Sequence, residues 1–132
     1  AYNSFGDRGR FDDLIELFAD KAVMDIGDGR LYEGVEQIEE IFTGTRDSLS
    51  DGEKPSYIQH HTSSIHIDVQ DASNATSRSY FSVFLTHGID HWGRYEDKFE
   101  KINGKWIFTY RSVKTDGWVP DGWASKRLEG KN

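Results

Sequence analysis

Apolar residues recur at helical spacing through the first third of the chain and at every second position from residue 57 onward. The pattern therefore predicts helices with one hairpin first and an antiparallel sheet second. Tyr2 and Phe5 share a face that ends at Gly6, which reads as the last turn of a helix whose earlier turns would precede Ala1. After a turn at residues 6–9, Asp12 or Asp13 caps a short helix with the stripe Leu14, Ile15, Leu17 and Phe18, stopping near Asp20 and Lys21. Ala22–Ile26 and Arg30–Tyr32 flank Gly27-Asp28-Gly29, a β-hairpin signal. Gly34 introduces a helix from Val35 to about Thr45, apolar at Val35, Ile38, Ile41 and Phe42 and solvated at Glu36, Gln37, Glu39 and Glu40. Residues 45–56 are polar, contain Gly52 and Pro55, and predict a loop.

Four strands follow, at about 57–70, 76–87, 91–102 and 105–114, with Asn103-Gly104 the strongest turn signal. Strands this long in a chain of 132 residues predict a curved, bulged sheet. The tail from Thr115, with Trp118, Pro120 and Trp123, predicts a loop folded over the sheet or onto a neighbouring subunit. The expected architecture is one α+β domain over residues 1–132. It is a cone-shaped α+β barrel in which helices cover the concave face of a bent, mostly antiparallel sheet, and such a cone encloses a cavity.

Composition narrows the partners. A net charge of −7 argues against nucleic acid and against anionic membrane surfaces. With no cysteine, the chain has no disulfide, thiolate nucleophile or Cys-based zinc site. No run is long and apolar enough to span a membrane and no signal peptide is visible, so the cytoplasm is the expected compartment and the Asn74-Ala-Thr76 sequon reads as chance. The 4 Trp, 6 Tyr and 8 Phe are a large aromatic supply from which to wall a pocket.

Candidate chemistry lies where polar residues fall on apolar faces. Tyr95, Asp97 and Phe99 share the inward face of their strand. Ile107, Thr109, Arg111 and Val113 share one face of the next, with Trp106, Phe108, Tyr110 and Ser112 on the other. A buried guanidinium needs a carboxylate or an anionic ligand, so Asp97 and Arg111 either pair across neighbouring strands or both face a pocket. His60 and His61 head the first long strand. Ile65, Ile67 and Val69 define its inward face, and strict alternation would place His61 there; His60 turns inward only if the strand bulges within Thr62-Ser63-Ser64. Adjacent strand histidines point to opposite sides, which argues against a shared metal. His66 falls on the outward parity, and His87 and His91 flank a turn and read as exposed.

Asp7–Phe18, Ala22–Ile26 and Leu31–Gly34 resemble the N-terminal half of SnoaL-like domains of the nuclear transport factor 2-like superfamily. His60–Ser64, Gly93–Asp97 and Gly104–Arg111 resemble the C-terminal half, so the similarity runs to about Thr115. The nearest pattern is the branch of scytalone dehydratase, hexachlorocyclohexane dehydrochlorinase and bile acid 7α-dehydratase. That resemblance implies an Asp–His dyad at Asp7 and His60, with Tyr2 and Arg111 at the positions of further active-site groups. It implies a cofactor-free lyase of dehydratase type, or an isomerase, and a homo-oligomer, trimer or dimer. A hydrophobic substrate, up to a polycyclic one, would meet His61, Asp97, Phe5, Phe18, Phe42, Tyr80, Phe84 and Phe99. A non-catalytic binding protein and an oligomer-assembly domain are the alternatives on this fold. Separation of Asp7 from His60 would favour the first, and a cone filled by side chains the second.

Overall fold

The computed structural model describes residues 1–49 and 57–129. Short helices α1 (Tyr2–Asp7) and α2 (Phe11–Ile15) lead into a hairpin of β1 (Phe18–Asp25) and β2 (Leu31–Glu33), followed by α3 (Val35–Leu49). Strands β3 (Gln59–Val69), β4 (Asn74–Leu85), β5 (Gly88–Ile102) and β6 (Lys105–Trp118) come next, and α4 (Trp123–Glu129) closes the described chain. The six strands form one sheet in the order β2-β1-β6-β5-β4-β3. Its pairs are antiparallel except β1 with β6, which is parallel. With β2 and β3 at opposite edges the α+β sheet is curved but open, not a closed barrel. None of the described helices is long and apolar enough to cross a membrane.

Two packed groups hold this arrangement. Leu14, Ile38, Ala22, Met24, Phe18 and Phe108 bury where α2 and α3 cover β1 and β6. Phe81, Val83, Leu85 and Tyr95 form the second group, on β4 and β5.

Bulges decide which residues reach these groups. Ser63 pairs with Tyr80 and His66 with Arg78, so Ser64 and Ile65 together oppose Ser79; Ser64 takes a left-handed φ of 51°. The extra residue shifts the alternation by one. His60 and Thr62, opposite buried Val83 and Phe81, therefore share the concave face with Ile67 and Val69, opposite Ser77 and Ala75. This is the bulge that an inward His60 requires. A second shift, between Lys98 (opposite Tyr110) and Phe99 (opposite Phe108), leaves Thr109 as the extra residue. Phe108 thus joins the face of Arg111, correcting the simple alternation expected for β6. Gly93 is also fixed by packing, since a Cβ there would lie 1.9 Å from the Lys114 carbonyl oxygen and 2.8 Å from Phe81.

Three expected boundaries move. The second helix ends at Ile15, and Phe18 instead opens β1, because the Leu17 carbonyl accepts from the Phe108 amide (2.8 Å) and Phe18 stacks on Phe108 (5.1 Å). Sheet pairing overrides a stripe that suits a helix equally well. Helix α3 runs on to Leu49, four residues past the end expected at Thr45, with the Thr45 hydroxyl donating back to the Ile41 carbonyl; the rest of the expected loop, residues 50–56, lies outside the described residues. The tail is not a loop: β6 continues to Trp118 and α4 follows.

Candidate active site

α1 lies across the inner face of β3, and the two elements match in spacing. Asn3 and Asp7 are four residues apart, a rise of about 6 Å on one helix face. His60 and Thr62 are two apart on one strand face, about 6.8 Å. The Asn3 amide donates to the Thr62 hydroxyl (2.7 Å), and Asp7 Oδ2 accepts from the His60 backbone N–H (2.8 Å). Asp7 Oδ1 lies 2.5 Å from His60 Nδ1. A carboxylate at Nδ1 selects the tautomer that carries its proton there and leaves Nε2 bare. His60 Nε2 makes no hydrogen bond among the described residues.

Asp7 and His60 line a cavity of about 470 Å³ whose apolar wall includes Phe11, Met24, Ile41, Phe42, Ile58 and Phe81. Tyr2 and Tyr95 also line it. Burial pushes both phenols up, against the opposing charge of Arg111, so both stay protonated at neutral pH and can act as donors. The Tyr95 hydroxyl donates to the Asn3 side-chain carbonyl (3.3 Å), tying the sheet to α1.

Arg111 sits behind these rings, outside the cavity lining. Its Nε and Nη2 donate to the two Asp97 oxygens at 2.7 and 3.1 Å, and its guanidinium carbon lies 4.1, 3.6 and 4.7 Å from the ring centres of Tyr2, Tyr95 and Phe108. Arg111 and Asp97 are both buried. The cross-strand pair is therefore what the geometry shows, rather than two charges facing a ligand. Asp97, expected at the substrate, is occupied by Arg111 and by the Ser77 hydroxyl (3.3 Å).

The other expected wall residues divide. Phe42 lines the cavity. Phe18 is in the core, and Phe5 and Phe99 pack half-buried against it; the early start of β1 and the bulge in β6 set Phe18 and Phe99 against Phe108. His61, Tyr80 and Phe84 belong to the convex side. His61 packs at a tilt against Phe84 (4.8 Å) and contacts Gln59 (2.7 Å), and Tyr80 is 58% exposed. The bulge that brings His60 inward is what turns His61 outward.

One pair was not anticipated. His87 remains exposed, but His91 is only 12% exposed at its side chain and lines the cavity. Strand β5 begins at Gly88, so His91 is a strand residue rather than the flank of a turn. Its Nδ1 lies 2.8 Å from Oδ2 of Asp90, a fully buried carboxylate. Asp90 also accepts from the backbone amides of Trp123 (2.8 Å) and Ala124 (3.0 Å), which fastens α4 and places Trp123 in the cavity wall. His87 Nε2 is a further partner at 3.0 Å. A residue reading could have found this site only by noting an Asp-His step on a strand that also carries Tyr95 and Asp97 two and three alternations later.

Burial raises the Asp90 carboxyl, but His91 and the Ala124 and Trp123 amides outweigh it and hold the group below its usual value. A depressed carboxyl contributes stability above its unfolded pKa of about 3.9 and loses it as pH falls through the folded value. Urea denaturation of wild type and Asp90→Asn should therefore differ at pH 7, with the gap closing below about pH 4. A gap unchanged by acid would show that Asp90 acts without its charge.

The SnoaL-like domain family matches residues 1–112. Comparison with curated proteins finds no match. Among solved structures, a protein of unknown function with a cystatin-like fold from Nostoc punctiforme has a TM-score of 0.77 at 22% identity, covering 90% of this chain and 86% of that one. A putative scytalone dehydratase from Novosphingobium aromaticivorans has 0.75 at 22% identity, covering 89% and 78%. LinA has 0.75 at 16% identity, covering 89% and 80%. At these identities the structural likeness establishes the fold, while the family match spans most of the sequence, including Asp7, His60 and Arg111. The chain belongs to the SnoaL-like domain family.

Proposed function

We propose that the protein is a cofactor-independent lyase of dehydratase type, or an isomerase, acting on a hydrophobic small molecule through an Asp7–His60 dyad. The observation that carries this reading is the 2.5 Å contact between Asp7 and His60 Nδ1 at the wall of an apolar cavity. His60 Nε2 takes a proton from a carbon adjacent to one bearing a hydroxyl. The C–H electron pair becomes the new C=C bond, and the C–O bond breaks. The leaving hydroxide takes the proton from the imidazolium and departs as water, so the imidazole is neutral again. Asp7 orients the ring and stabilises the imidazolium while it exists. Tyr2, protonated and at the cavity wall, donates to the oxygen on which negative charge develops. Arg111 supports that role from behind the Tyr2 ring. An isomerase would use the same proton abstraction and return the proton to a different carbon.

A purely binding role fits less well with a carboxylate already in contact with His60, and an assembly role with an open cavity of about 470 Å³. Cytoplasmic location and assembly into a trimer or dimer belong to the same reading. Exposed Ile65, Ile67 and Val69 (59%, 62% and 60%) on edge strand β3 are consistent with a covered face in an oligomer.

The test is a panel of hydroxylated bicyclic, tricyclic and steroidal ketones, followed by mass spectrometry for loss of one water and, in D2O, for deuterium uptake. Wild type should form a dehydrated or exchanged product from at least one compound, and His60→Gln should not. Ligands that bind without either reaction would support the binding role instead.

A further inference from the structure

His60, Val83 and His91 form one row across three adjacent strands, since Val83 pairs with His60 on one side and His91 on the other. All three project from the concave face. The two histidines therefore stand two strands apart, roughly 10 Å between backbones, with a small, fully buried aliphatic residue between them. Both imidazoles line the same cavity, and each is held at Nδ1 by a carboxylate, Asp7 or Asp90.

The His91 clamp is built closely. Asp90 receives the Trp123 and Ala124 amides, so it is ionised and can only accept, and the proton between it and His91 belongs to His91 Nδ1. A Cβ at residue 122 would fall 2.5 Å from Asp90 Oδ1, so only glycine fits beside the carboxylate. The rings of Phe81 (6.2 Å) and Trp123 (5.8 Å) flank the imidazole. Nε2 makes no hydrogen bond among the described residues. The one side-chain nitrogen or oxygen among them that is sealed in without a partner is Arg111 Nη1, so His91 Nε2 is not sealed and opens on the cavity. Burial, assisted by the neighbouring His60, lowers the His91 pKa despite Asp90, so the ring is neutral at pH 7 and Nε2 carries a lone pair. It is an acceptor, and a cavity wall that presents an unpaired acceptor favours a ligand that brings a donor.

We propose that His91 is a second ligand-facing residue, whose Nε2 accepts a hydrogen bond from a hydroxyl group on the substrate, remote from the C–H bond that His60 attacks. This rests on the reading of the cavity as a substrate site and adds one requirement to it: the substrate carries a phenolic or alcoholic O–H at one end and the reacting carbon at the other. A lone structural role for Asp90–His91 in fastening α4 would leave ligand preference untouched, which separates the two.

The probes are 2-naphthol and 2-methoxynaphthalene, which share the ring system and differ in the donor. Titration calorimetry with wild type should show 2-naphthol bound about tenfold more tightly, the order of one net hydrogen bond. The preference should persist in His60→Gln, which keeps the His91 acceptor, and fall to within about twofold in His91→Phe, which keeps ring size and removes the acceptor. A second measurement needs no variant: in 15N spectra of the wild-type imidazoles, the bare Nε2 of His91 should shift on adding 2-naphthol and stay in place with 2-methoxynaphthalene. Equal affinities, a preference lost in His60→Gln rather than His91→Phe, an unmoved His91 Nε2, or no binding of either compound would each overturn the proposal. Elimination by His60 would survive the first three outcomes, because it is read by turnover and not by donor preference.

Discussion

His60→Gln is expected to lower kcat by roughly 10²–10⁴-fold while leaving KM within a few-fold, the range associated with loss of a positioned general base. Glutamine is chosen because its amide N–H can still donate to Asp7 and so keep α1 docked on β3. The backbone contact from His60 N–H to Asp7 Oδ2 (2.8 Å) does not depend on the side chain at all. What disappears is the nitrogen lone pair that takes the proton. Steady-state kinetics on whichever compound the dehydration panel yields would check this, with circular dichroism confirming an unchanged fold. A rise in KM at constant kcat would instead make His60 a binding residue.

Asp97→Ala is expected to cost about 3–5 kcal/mol of folding stability, the penalty for leaving a buried charge without its partner. Arg111 is 5% exposed and already has Nη1 without a hydrogen bond, so removing both Asp97 oxygens leaves the Ser77 and aromatic surroundings to carry a full positive charge. The neighbouring rings of Tyr2, Tyr95 and Phe108 offer only a fraction of that compensation. The double variant Asp97→Ala/Arg111→Met should recover much of the loss, because a well-packed apolar side chain avoids the desolvation that the pair must offset. Urea denaturation of the three variants measures this. A double variant as unstable as Asp97→Ala alone would mean that Arg111 stabilises through its aromatic contacts rather than through Asp97.

The sequence carried the order of the elements because hydrophobic period and turn residues are local signals, and the helix-rich first third and the sheet that follows needed nothing else. Single-residue insertions in strands were harder to place. The run Thr62-Ser63-Ser64 allowed a bulge without locating it, and one residue at Ser64 decides whether His60 or His61 faces the cavity. The extra Thr109 in β6 has no such marker, so simple alternation puts Phe108 on the wrong face. Parity errors of this kind also account for the aromatic residues, since Tyr80 and Phe84 alternate as regularly as Phe81 and differ only in which side of the sheet the helices cover. Leu17 and Phe18 suit a helix stripe and a strand start alike, and pairing with β6 made the choice. The Asp7–His60 contact was legible only through family resemblance, because the residues are 53 positions apart and no local pattern joins them. His91 is hidden for a different reason: His87-Gly-Ile-Asp90 has the composition of a turn, whereas β5 starts inside it. Helix α4, capped at its N-terminus by an aspartate more than thirty residues earlier, carries its start signal outside its own sequence.

The central claim is that Asp7 fixes His60 with its proton on Nδ1 and its lone pair on Nε2 toward the cavity. Long-range 1H–15N correlation of the histidine rings in wild type and Asp7→Asn tests it directly, with His60→Gln assigning the resonances. The account predicts that wild-type His60 is the Nδ1–H tautomer and that Asp7→Asn abolishes that preference. A His60 ring protonated at Nε2 in wild type, or a tautomer indifferent to Asp7, would contradict it.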